Sequence, residues 1–352
     1  MMRTPAFELW NLSAGGDAWA GAQDIFNVVG RVADVAHVRR CTYVLNEGSE
    51  REFAVRGLNG GGRRLERPGD FNIDTIRSGE LREANQLELR AYRHDGNVAR
   101  ESCAFRIRST PIELGEWRCQ PRLGDGVESL GQVVDGRWTV GADDDGRGDV
   151  GSEAYDAGDV RILLFGYRAW PTGYELHARF VVERWTRSIS QGVGGAFKWN
   201  DHAPGDGSAL PETWSTGMAW AFSESPGATI RFGVDARKGS DGRWRGESVL
   251  AEASLSRWRA QAGRLCRRVA PTHFSFPPVR PGVEYRYRLV VDDAAISLTI
   301  WENDRPEPRP QVVARGDQPL PSGSVGWVAH YCAMKLYELL VIPVRRAGRV
   351  GA

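Results

Sequence analysis

An all-β chain of two sandwiches in tandem, a small one followed by a larger one, is predicted by three observations. Segments of period-two hydrophobicity recur from residue 25 onward, 42 glycines and 18 prolines punctuate 352 residues, and no segment holds a sustained 3.6-residue apolar stripe. Glycine and proline at that density suit many short strands joined by turns and disfavour long helices. The length fits two unequal domains.

From residue 25 to 108 short alternating segments succeed one another: IFNVVGRV, CTYVLNEGSE, EFAVRG, DFNIDTI, NQLELRAYRHDGN and SCAFRIRS. Asn46 to Ser49 and His94 to Asn97 carry the turn formers expected between antiparallel strands, and Gly60, Gly61 and Gly62 mark a loop. Cys41 shares its face with Tyr43 and Leu45, and Cys103 with Phe105 and Ile107, so both point into one core, as free thiols or, in an oxidising compartment, as a disulfide. The five cysteines show no CxxC spacing, against a zinc ribbon or a redox pair. A proline after a finished strand and a rise in tryptophan density place a boundary near residue 109. The expected division is 1–108, 109–346 and a tail of 347–352.

Beyond that boundary the candidate strands lengthen: 159–167, 174–185, 217–222, 229–236, 285–291, 294–301, 324–330 and 335–344. On the strand from Tyr174 to Trp185 one face reads Tyr174, Leu176, Ala178, Phe180 and Val182, a core set. Period two then turns Glu175, His177, Arg179, Val181, Glu183 and Trp185 outward, where carboxylates, an imidazole, a guanidinium and an indole suit hydroxyl groups and a sugar ring face. A glycine-rich loop follows, with Lys198, Trp199, Asn200, Asp201 and His202 as further ligand contacts. The acidic turn GADDDGRGDVGSE has three consecutive acids where an EF-hand would need alternate ones.

With 46 basic against 45 acidic residues the net charge is +1, which excludes a polyanion as dominant partner, nucleic acid included. Of the basic residues only Lys198, Lys238 and Lys335 are lysine, a skew that reads as compositional bias. The longest apolar runs, such as Met218 to Phe222, fall far short of the ~18 residues that span a bilayer. MMRTPAFELW lacks a basic region followed by an apolar one, so a cytoplasmic protein is expected, or a secreted one whose signal has been removed. Oligomeric state is not legible.

Two resemblances add to this reading. The succession NVVGRVAD, TYVLNEG, LERPGDFNID and ANQLELRAYRHDGN resembles bacterial Ig-like (cadherin-like) domains. The runs GVEYRYRLVVDDAAISLTIWENDRPEP and LPSGSVGWVAHYCAMKLYELLVIPV resemble the C-terminal half of concanavalin A-like lectin/glucanase (laminin G-like) domains, and DVRILLFGYRAWPTGYELHARFVVERW looks like their earlier strands. The second resemblance implies a jelly-roll sandwich, a glycan ligand on its concave sheet, no cofactor, and a structural calcium ion at the rim as an option. It also implies an alternative, a glycoside hydrolase or polysaccharide lyase, with Glu183, His177 and Asp201 as acid/base groups. The family's Glu-x-Asp-x-x-Glu run has one literal match, Glu302, Asp304 and Glu307, but Pro306 makes that segment a turn. Glu175 and Glu183 stand ~26 Å apart at the usual strand rise and cannot share one glycosidic bond. A structural or protein-interaction module is the remaining alternative.

Overall fold

The structure is a computed structural model and describes residues 6–20, 23–59, 65–109, 116–122, 124–152, 160–170, 173–186, 192–199, 279–292, 295–310, 312–315 and 323–344. Between 200 and 278 it describes only the short strands named below. The chain is all-β, as the alternation requires.

Residues 7–109 form two sheets. One orders β1 (Phe7–Leu9), β3 (Ile25–Val32) and β6 (Asp70–Arg77). The other orders β2 (Asp17–Ala20), β8 (Val98–Ser109), β7 (Ala84–Arg93), β4 (Val38–Leu45) and β5 (Arg51–Glu52). Their core stacks Phe26 on Phe105 at 5.6 Å and Phe53 against Phe71 at 5.1 Å. The turn after β4 puts Asn46 and Glu47 in the left-handed region (φ 49° and 62°), with Gly48 N–H donating to Leu45 O at 2.8 Å. Cys41 and Cys103 lie in this core as free thiols, and burial pushes Cys41 up to about 12 and raises Cys103 as well.

The larger unit packs two sheets face to face. The six-stranded sheet orders β10 (Gln132–Asp135), β13 (Val160–Trp170), β25 (Gly323–His330), β15 (Gly192–Trp199), β16 (Gly217–Phe222) and β17 (Ala228–Phe232). The eight-stranded sheet orders β11 (Trp138–Ala142), β12 (Gly148–Ser152), β26 (Cys332–Pro343), β14 (Tyr174–Trp185), β22 (Glu284–Val291), β23 (Ala295–Glu302) and β24 (Val312–Arg315), with β9 (Trp117–Cys119) also on β26. Four two-residue strands complete the order: β18 (Arg237–Lys238), β19 (Trp244–Arg245), β20 (Val249–Leu250) and β21 (Arg267–Arg268). Between the sheets Trp327 of β25 meets Phe180 at 5.3 Å and Tyr287 edge-on at 5.1 Å. Each such buried aromatic contributes roughly 1.5–3 kcal/mol.

Two expectations change here. The segment read as a glycine-rich loop begins as a strand, β15, which carries Lys198 and Trp199. Its glycines serve packing: a Cβ at Gly195 would stand 2.6 Å from Leu176 Cδ2, and its N–H donates to the fully buried Tyr287 hydroxyl at 3.1 Å. The acidic turn is the β11–β12 hairpin, in which Asp143 Oδ1 accepts from the N–H groups of Asp145 and Arg147 at 3.1 and 2.8 Å.

The outer face of the six-stranded sheet is closed. Val134, Ile162, Leu164, Ala196, Trp199 and Val328 form a buried cluster on that face. Trp199 Nε1 donates to Gln23 Oε1, Asn72 Nδ2 to Val134 O and Asp135 Oδ1, and Gln132 Nε2 to Ile25 O, all at 2.7 Å. Strand β3, at the centre of its own sheet, is buried almost throughout, and its Val29 belongs to the larger core. Residues 6–109 thus cover one sheet of the larger unit, which leaves the outer face of the eight-stranded sheet for a ligand.

Candidate functional site

Register fixes what that outer face presents. Lys335 of β26 stands opposite Val181 of β14, which faces Glu284 of β22. The next row runs Glu338, Arg179, Arg286 and Trp301, and the row after it Leu340, His177, Arg288 and Thr299. On the other side Lys335 faces Gly151 of β12, which faces Thr139 of β11.

The sequence-predicted residues divide. Glu175 and His177 point outward but are occupied: Arg288 donates from Nε and Nη2 to the Glu175 carboxylate at 2.9 and 3.0 Å, and His177 Nε2 lies 2.9 Å from Glu175 Oε2. Burial alone would raise the Glu175 pKa, but the Arg288 and His177 hydrogen bonds outweigh it and hold the carboxyl below its ordinary value. Arg288 also donates to Glu307 Oε1 at 2.9 Å, which ties down the turn after β23. The run containing Glu302 and Asp304 is that turn, as Pro306 requires. Arg179 Nε stands 3.7 Å from Glu284 Oε1.

Trp185 is not an outward group. The pairing of β14 with β26 shifts register between Val182 and Arg184, so period two breaks there and Trp185 packs against the core, its Nε1 donating to Val279 O at 3.1 Å. Trp199 is fully buried at the junction with the first unit and offers no surface to a ligand. Asn200, Asp201 and His202 lie outside the described residues, as does the Lys198 side chain. Glu183 and His177 are six residues apart on one strand, about 20 Å, and do not act on one bond.

Glu183 instead joins residues the sequence reading passed over. A groove of about 430 Å³ opens over β11, β12, β26 and the end of β14, lined by Thr139, Gly141, Asp149, Gly151, Glu183 and Lys335 among others. Lys335 Nζ stands 3.7 Å from Asp149 Oδ2 and 3.4 Å from Glu183 Oε1. Asp149 is 3% exposed, and its Oδ2 accepts no hydrogen bond. Burial opposes the Lys335 charge, but Asp149 and Glu183 outweigh it and raise its pKa, so at neutral pH it is a donor and not a base. The available signal was rarity: Lys335 is one of three lysines among 46 basic residues, at a place that needs a compact ammonium rather than a planar fork.

The floor of the groove is glycine at two positions whose backbone any residue can adopt. Neither Gly141 nor Gly151 has a positive φ. A Cβ at Gly141 would meet Asp149 Oδ1 at an ordinary 3.5 Å, and one at Gly151 would meet Thr139 Oγ1 at a tight 3.3 Å, which a small turn of the hydroxyl relieves. Gly148 differs, since a Cβ there would collide with Pro121 O. Glycine inside a strand weakens it and often marks a place where a ligand or another backbone comes close.

The acids do not make a calcium cradle. Asp143 is consumed by its own hairpin and by Arg147, Asp149 pairs with Lys335, and among the described residues no cluster of three metal-ligating side chains occurs. Burial, first of all, raises the Asp149 pKa, with Lys335 offsetting part of the rise and Glu183 adding to it. The folded state therefore holds this proton more tightly than the unfolded chain. Ionisation of Asp149 works against folding: the penalty is absent below the unfolded pKa and complete above the folded one. Asp149→Asn is expected to raise Tm at pH 7 and to leave it nearly unchanged at pH 3. Thermal melts at both values check this, and a lower Tm at pH 7 would contradict it.

No protein-family model matches the sequence, and no curated protein matches it. Similar solved structures include a Bacillus subtilis protein of unknown function with a galectin-like fold, at 13% identity over 65% of this chain and 96% of that one, TM-score 0.37. The VIP36 exoplasmic/lumenal domain bound to Ca2+ and Man3GlcNAc is similar at 10% identity over 66% and 90%, TM-score 0.38. A Bauhinia forficata lectin in complex with GalNAc is similar at 10% identity over 65% and 98%, TM-score 0.30. At these scores the likeness is loose, and the groove stands on its own geometry.

Proposed function

We propose that the protein recognises carbohydrate in the groove above Gly141 and Gly151, with Lys335 donating to sugar hydroxyls and Asp149, Glu183 and Thr139 accepting from them. The observation that carries this reading is the glycine floor beneath a convergent donor and acceptor set, at a volume suited to a small ligand. Glycan hydroxyls, each both donor and acceptor, match such a mixed set better than a ligand of single charge does. In the same proposal residues 6–109 are an Ig-like sandwich that supports the larger unit, with the domain boundary near residue 109.

Filling the floor tests it. Gly151→Leu and Gly141→Val are expected to abolish retention on a glycan array or on immobilised polysaccharides while the fold persists. Gly141→Ala, which replaces a strand glycine with room for a methyl group, is expected to gain roughly 0.5–1 kcal/mol of stability. Wild-type binding by the leucine variant would remove the groove from the site.

A second reading has one specific observation in its favour: a carboxyl with a raised pKa stands beside a second carboxylate across one ammonium. In a glycoside hydrolase built on this groove Asp149 would be the proton donor and Glu183 its partner. Release of reducing ends by the wild type, lost in Asp149→Asn with binding retained, would establish it.

A further inference from the structure

We propose that the ligand is an oligosaccharide chain laid across the strands, running from the groove at Lys335 to the indole of Trp301. This inference rests on the carbohydrate reading above and names its substrate class: a chain of several residues rather than a mono- or disaccharide.

Three observations place the far end. Ile296, Leu298 and Ile300 are buried in the core, so alternation turns Trp301 to the outer face, and it is absent from the residues packed on that core. Among the described residues the Trp301 indole makes no hydrogen bond and no ring contact, whereas Trp19, Trp138, Trp185 and Trp199 each donate to a partner and Trp10 lies against two guanidinium groups. An indole on a sheet face, half-buried and unpartnered, is a platform for an apolar ring face.

The path between the ends is lined by charged groups held in ion pairs, several of them long. Arg179 Nε of β14 and Glu284 Oε1 of β22 are buried and stand 3.7 Å apart, as do Asp149 Oδ2 of β12 and Lys335 Nζ of β26, in both cases beyond hydrogen-bond distance. An ion pair longer than a hydrogen bond leaves room for a hydroxyl group to bridge its partners. From β26 to β23 is three strand steps, ~14 Å, and the two rows differ by two residues, ~7 Å, so Lys335 and Trp301 stand about 16 Å apart. One sugar ring does not bridge that gap.

The test uses the full chain and the cello-, xylo-, manno- and laminari-oligosaccharide series from two to six residues, by titration calorimetry. For the series that binds, affinity is expected to climb with length and then level off. Trp301→Ala is expected to lower hexasaccharide affinity about tenfold, the scale of one aromatic contact, and to leave disaccharide affinity unchanged. Trp301→Phe, which keeps an aromatic face, is expected to restore most of the loss and so separates stacking from misfolding. Equal affinity from two to six residues, or a hexasaccharide affinity untouched by Trp301→Ala, overturns the spanning chain while groove-dependent binding of the disaccharide upholds the carbohydrate reading. Absence of binding by every series and by the parent polysaccharides overturns both.

Discussion

Replacing Glu66 by glutamine is expected to destabilise the protein by about 3–5 kcal/mol, because it strands a buried charge. Arg161 is 1% exposed, and its guanidinium pairs through Nη2 with Glu66, itself nearly buried, from the other side of the junction between the two units. Its Nη1 reaches Cys332 O at 3.4 Å, and its Nε has no hydrogen bond. The stem fits because Gly136, at φ +80°, leaves the space that a side chain would take from Arg161 Cγ. A guanidinium cannot discharge by losing its proton, so removal of the Glu66 charge leaves the full desolvation penalty in place. Thermal denaturation should show a fall in Tm on the order of 10 °C. The double variant Arg161→Met/Glu66→Leu, which removes both charges, should recover most of it. A loss below about 1 kcal/mol for Glu66→Gln would mean that water reaches the guanidinium.

Alternation made much of the fold legible and part of the site. Strands such as β3 and β14 bury one or both faces against apolar layers, so their sequences carry the period and their limits follow from it. β15 was hidden because Gly194 and Gly195 open a run that reads as a loop, although Gly195 is there to let Leu176 and Tyr287 approach. The outward direction of Glu183 followed from period two, and that of Trp185 failed because one irregularity in the β14–β26 pairing shifts every later side chain to the other face. Such a shift depends on the partner strand, which local sequence does not specify. The groove was invisible for a related reason: Asp149, Glu183 and Lys335 are distant in sequence and meet only through the order β12, β26, β14. What local pattern did offer, the acidic turn, drew attention to Asp143, whose oxygens are spent on Arg147 and the hairpin backbone.

Residues 110–346 expressed alone are expected to be protease-sensitive and to lack a cooperative melt. The reason is the covered face of the six-stranded sheet. Without the first unit Trp199 loses Gln23, Gln132 loses Ile25 O, Asp135 loses Asn72 and Arg161 loses Glu66. All four residues are buried, and each severed partner leaves a group either unsatisfied or exposed with its apolar surroundings. At roughly 1–3 kcal/mol for each neutral or singly charged bond and about 3–5 kcal/mol for the guanidinium, the loss is comparable with the ~5–15 kcal/mol that separates most native proteins from unfolding. The newly bared strip of Val134, Ile162, Leu164, Trp199 and Val328 adds apolar surface that would drive association. Limited proteolysis, near-ultraviolet circular dichroism and dye binding on the fragment and the full chain measure this directly. A fragment that melts cooperatively within a few degrees of the full-length protein would show that the junction is a docked surface between independent domains, and residues 6–109 would then be free to act as a module in their own right rather than as one wall of the larger sandwich.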